Sequence, residues 1–155
     1  TCIKHDTLPL ITDSNWSEFK AEILYSENRE YDPETETPVQ DLAILMPINR
    51  RIQTFNDLGN YYPLGSWVMT SSYPDLGSEW YSAAITVGNL TTDTVSDGFS
   101  MTAAINHGSS GGMVINSRGQ VIGTIYAGYD EDVRNDAGLF LPMARFWEAI
   151  GKVNE

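Results

Sequence analysis

The residue types in this chain that could do chemistry are concentrated in Gly108-Ser109-Ser110-Gly111-Gly112, which runs into the apolar Met113-Val114-Ile115 and, past a polar break, Val121-Ile122-Gly123. In a bend between apolar strands a serine hydroxyl can face solvent while neighbouring backbone N–H groups converge on one point. That is what an acyl-transfer nucleophile and its oxyanion hole require. Glycine and serine also gather in turns for conformational reasons alone, and Ser117-Arg118-Gly119-Gln120 reads as an ordinary hairpin connection. Taken alone, the pentapeptide leaves a turn and a nucleophile both open.

The elements that must hold this loop read as short strands. Phe19, Ala21, Ile23 and Tyr25 alternate with Lys20, Glu22 and Leu24, the period of a half-buried strand. Further strands are expected at 42–46, 67–69, 83–87, 99–104, 113–115, 121–126 and 139–141, divided by Gly, Pro, Asn and Asp. Many short strands with turn signals between them favour a barrel or sandwich. Residues 26–38 are charged and turn-rich and are expected to be an exposed loop. Only the end looks helical, with Met143, Phe146, Trp147 and Ile150 on one face.

Composition narrows the functional classes. The 155 residues suffice for one domain with a sizeable core. Asp and Glu number 21 against 9 Lys and Arg, a formal net charge of −12. Such a surface repels phosphate backbones and anionic lipid, arguing against nucleic-acid and membrane-surface partners and fitting a solubilising role. No apolar run approaches the roughly 20 residues needed to span a bilayer, and no signal peptide is seen. The single cysteine, Cys2, excludes an internal disulfide framework and reads as a structural thiol. With only two histidines, neither a zinc site nor a thiol-based site can be assembled, and no metal or organic cofactor is expected.

The stretch Ala103-Ala104-Ile105-Asn106-His107-Gly108-Ser109-Ser110-Gly111-Gly112 resembles the nucleophile loop of chymotrypsin-like serine proteases. It is nearest the HtrA-type trypsin-like peptidases, whose pattern is A-A-I-N-x-G-N-S-G-G. Asp41-Leu42-Ala43-Ile44-Leu45 is similar to the family's D-L-A-L-L aspartate motif, Gly65-Ser66-Trp67-Val68 to its G-x-x-V strand, and Ala137-Gly138-Leu139-Phe140-Leu141-Pro142 to its G-F-A-I-P strand. These motifs stand in family order over nearly the whole chain. The resemblance implies an all-β, chymotrypsin-like double β-barrel with a closing C-terminal helix. It would be one peptidase domain, with an N-terminal barrel part to about residue 60, a second barrel over 61–142 and the helix over 143–155. It also implies strands ahead of the catalytic histidine, so the N-terminal barrel is expected to be incomplete here, its remainder supplied by an upstream segment or a second chain. The lack of disulfides is more like a bacterial or viral member than an animal one, and a secreted or periplasmic setting is slightly favoured.

By the same resemblance Ser110 would attack the scissile carbonyl of a polypeptide substrate. The Gly108 and Ser110 N–H groups would bind the oxyanion, and Asp41 would orient the base. A turn-capping role before a strand is the alternative for Asp41. The base would be His5, in the family order His5, Asp41, Ser110, although Thr1-Cys2-Ile3-Lys4-His5-Asp6 departs from the usual T-A-A-H pattern. His107 is the competing histidine and is expected instead over the substrate groove. The primary pocket would be lined by Ala104, Ile105, Tyr126, Ala127, Gly128 and Gly138, with no carboxylate at its floor, which suits an apolar side chain. The expected function is thus a serine endopeptidase. A catalytically inactive protease-fold binding module and a non-hydrolytic β-barrel are the alternatives.

Overall fold

The structure, a computed structural model, describes residues 10–12, 18–27, 42–49, 51, 57–74, 83–95, 98–128 and 137–153. Strands β1 (Leu10–Thr12), β2 (Glu18–Ser26) and β3 (Ala43–Pro47) form an antiparallel sheet in that order. The alternation expected for β2 is present at its start, where Phe19 and Ala21 are buried between the exposed Glu18, Lys20 and Glu22.

Six further strands follow: β4 (Trp67–Ser72), β5 (Ala84–Val95), β6 (Gly98–Met101), β7 (Met113–Asn116), β8 (Val121–Gly128) and β9 (Gly138–Pro142). They close an antiparallel barrel in the order β4-β5-β6-β9-β8-β7, the last contact being β7 with β4. Closure leaves no free sheet edge, and the interior is filled by Val68, Leu90, Met101, Ala103, Val114, Ile122, Ile125 and Phe140. On the opposite face of β8, Val121 packs with Ile115 and Met143 beneath helix α1 (Met143–Val153). Strand β8 is therefore covered on both sides, which accounts for its nearly unbroken apolar run.

Helix α1 joins the two parts. Leu42 and Ile44, from the β3 region, share a buried cluster with Leu141 of β9 and Ala149 of α1. Beside it Arg145 Nη2 lies 3.3 Å from Glu27 Oε1, which also accepts the Tyr25 hydroxyl at 2.7 Å.

Four expectations need correction. Thr102 and Ala103 are bends and Ala104 lies outside any strand, so β6 ends at Met101, while β5 runs well past Val87. Ser26 ends β2, and Glu27 is largely buried against Arg145, so the exposed loop does not begin at residue 26; residues 28–38 lie outside the described residues. On α1 Trp147 is 48% exposed, and the inward positions are Met143, Phe146, Ala149 and Ile150. Strand β1 has no counterpart in the sequence reading.

Candidate active site

The nucleophile loop is two reverse turns that share Ser109. The Ser109 N–H donates to the Asn106 carbonyl at 3.0 Å, and the Gly112 N–H donates to the Ser109 carbonyl at 2.9 Å. Gly108 has φ 83° and Gly111 φ 84°, while His107 and Ser110 do not adopt positive φ. A single positive φ at the third position is the mark of a type II turn and explains the glycine there. The spacing Gly108…Gly111 is thus the spacing of two consecutive turns.

These turns are tied to the barrel. The Gly111 N–H donates to the Ile125 carbonyl at 2.8 Å, and the Ile125 N–H donates to the Gly112 carbonyl at 2.9 Å. Ser109 is 2% exposed, and its Oγ accepts the Asn106 N–H at 3.2 Å. Ser110, by contrast, is exposed, and its Oγ donates to the Tyr126 carbonyl across 3.4 Å, a long contact that a stronger acceptor can displace. Among the described residues neither the Gly108 N–H nor the Ser110 N–H has an acceptor. Two unpaired donors beside an exposed hydroxyl are the raw material of an oxyanion site.

Tyr126 is the extra residue of a β-bulge, since Ile125 pairs with Phe140 and Ala127 with Leu139. Bulges re-aim side chains next to functional sites. Here the Tyr126 ring packs on the Leu42, Leu141 and Ala149 cluster, leaving its carbonyl toward Ser110.

Beyond the bulge Gly128 and Gly138 face each other in register across β8 and β9. A Cβ on Gly138 would meet Ile105 Cδ1 at 3.1 Å, and one on Gly128 would meet it at 3.7 Å. The Ile105 side chain therefore lies over the glycine pair. Ala104 is exposed, and its carbonyl accepts the Thr86 hydroxyl at 2.8 Å; Ala127 is half-buried. His107 is exposed on the first turn. His5 and Asp41 lie outside the described residues, though Leu42, next to Asp41, is in the cluster that carries Tyr126.

Ser109, Ser72 and Thr86 were not singled out by the sequence. The available signal was the period-two placement of Thr70 and Ser72 on a strand whose other inward residue is apolar.

The closed barrel, the preceding sheet and the closing helix together make the trypsin-like serine protease fold. No family model matches the sequence, and no curated protein does. The solved structure of the HtrA-type protease AlgW with decapeptide is similar, with a TM-score of 0.71 and 22% identity, over 93% of this chain and 43% of that one. The serine endoprotease from Yersinia pestis is similar with a TM-score of 0.70 and 22% identity, over 93% of this chain and 47% of that one. The chain spans less than half the length of either.

Proposed function

We propose that the protein is a serine endopeptidase in which Ser110 is the nucleophile. The carrying observation is the exposed Ser110 hydroxyl at a turn whose Gly108 and Ser110 N–H groups lack acceptors among the described residues, within a trypsin-like fold. In this reading Ser110 Oγ adds to the scissile carbonyl as His5 takes its proton, and the two N–H groups receive the negative oxygen. His5 returns that proton to the leaving amine as the C–N bond breaks, and water then repeats the sequence to release the acyl group. Asp41 holds the imidazole. Its neighbour Leu42 belongs to the buried cluster against which Tyr126 packs, and the Tyr126 carbonyl meets Ser110, which supports the assignment.

The pocket reading is also a proposal. Ile105 packed over the Gly128–Gly138 pair makes that place apolar and narrow, which supports a small aliphatic side chain on the acyl side of the scissile bond, the P1 residue. AlgW is seen with a decapeptide, which supports a polypeptide as substrate. The test is peptide-library digestion with products sequenced by mass spectrometry. Cleavage after Ala, Val or similar residues that disappears in Ser110→Ala is expected, and equal cleavage by both proteins would reject the assignment.

A further inference from the structure

Strand β4 turns Val68, Thr70 and Ser72 inward at a period of two, and both hydroxyls are buried, Thr70 to 1% and Ser72 to 8% exposure. A buried hydroxyl needs a partner. Each of these has one, and each partner leads to the loop described above.

Ser72 Oγ donates to Ser109 Oγ at 3.3 Å, and Ser109 Oγ also accepts the Asn106 N–H at 3.2 Å. The second relay starts at Thr70, whose Oγ1 lies 2.7 Å from Thr86 Oγ1. Thr86 has one hydroxyl proton and gives it to the Ala104 carbonyl at 2.8 Å, so Thr70 is the donor to Thr86. The two relays leave adjacent inward positions of one strand and end on the two halves of one loop, at the Asn106 turn and at Ala104.

We propose that the inward hydroxyls of β4 form a positioning rail for the site, Ser72 setting the oxyanion turn through Ser109 and Thr70 setting the pocket floor through Thr86. The proposal rests on the peptidase reading for its catalytic consequence. Ser109 ties the two ends of the first turn together twice, once by its N–H and once by its Oγ. The central peptide of that turn carries the Gly108 N–H, and type I and type II turns with the same ends differ chiefly in the rotation of that peptide. Holding the ends therefore holds the direction of a donor. Thr86, in turn, acts on the carbonyl that precedes Ile105, the residue over the glycine pair. None of these groups touches the reacting atoms, and all are positioning residues.

The two relays should separate kinetically. Ser72→Ala should lower kcat about three- to tenfold, the worth of one buried hydrogen bond, with KM within about twofold. Thr86→Val, which removes the hydroxyl at constant shape, should raise KM about three- to tenfold for the preferred P1 residue and leave kcat within about twofold. Amide hydrogen exchange gives a readout that does not need activity. Exchange across 106–110 should rise about three- to tenfold in Ser72→Ala and stay unchanged in Thr86→Val. Equal changes of kcat and KM in both variants, or unaltered exchange across 106–110 in Ser72→Ala, would overturn the proposal. If the wild-type protein cleaves no peptide, the peptidase reading falls, and the exchange pattern still decides whether the rail holds the loop.

Discussion

Under the peptidase proposal, Ile105→Ala is the substitution that should most visibly change which peptides are cut. It removes three carbons beyond Cβ from the side chain that lies over Gly128 and Gly138. A larger P1 residue filling that space would bury about three methylene equivalents, worth about 0.8 kcal/mol each, or about 2.4 kcal/mol. That corresponds to roughly fiftyfold in the ratio of kcat/KM for P1 Leu or Phe over P1 Ala. Ile105 is only partly buried against the barrel core, so the stability cost should lie near the lower end of the range for isoleucine truncation, about 2 kcal/mol or less. Gly138→Ala should act in the opposite sense, because its methyl would meet Met101 Cε at 2.9 Å as well as Ile105 Cδ1. The assay is competitive hydrolysis of a mixture of peptides differing only at P1, with thermal unfolding measured alongside. An unchanged P1 profile in a folded Ile105→Ala protein would show that the substrate side chain does not enter between these strands.

Three further outcomes are expected. His5→Ala should remove nearly all hydrolysis and Asp41→Asn should lower kcat by on the order of ten-thousandfold, with little added loss on combination with Ser110→Ala. Retained activity in His5→Ala together with its loss in His107→Ala would transfer the base to His107. Arg145→Ala leaves the largely buried Glu27 carboxylate without its guanidinium, and a loss of about 1–3 kcal/mol in chemical denaturation is expected, below the range for a fully buried pair because both groups retain some exposure. On α1, Trp147→Ala should change stability by less than about 1 kcal/mol while Phe146→Ala costs about 2–3 kcal/mol, in line with their exposure and read from the same denaturation curves.

Strand β2, with one wet and one dry face, was legible in the sequence because its period of two survives tertiary packing, whereas β4 was legible only over Trp67–Met69, since the inward Thr70 and Ser72 are polar and hide the pattern. Strand β1 was not, since three residues hold too little pattern and its existence depends on pairing Ile11 with Phe19. The extension of β5 through Thr91 to Val95 is likewise a property of its partner β6 rather than of its own polar residues. Trp147 was misassigned because hydropathy could not tell which of two adjacent helix faces would meet β8 and β9. Glu27 was misassigned because its partner Arg145 lies at the other end of the chain. Within the candidate site, a glycine-rich bend was readable from residue types, and its division into two turns came from the structure. The reach of Ser72 to Ser109 was not readable, because it arises only when the barrel closes, and Ile105 and Gly138 were brought to one pocket by the family resemblance rather than by residue pattern.

The central claim is that Ser110 is an activated nucleophile, and labelling with a fluorophosphonate probe followed by mass spectrometric mapping of the adduct tests it most directly, since an unactivated serine reacts slowly. A single phosphonylated residue, Ser110, with labelling lost in Ser110→Ala and suppressed by a P1 Ala or Val peptide, is the predicted result. Absence of labelling in the folded wild-type protein, or an adduct on another residue that persists in Ser110→Ala, would contradict it.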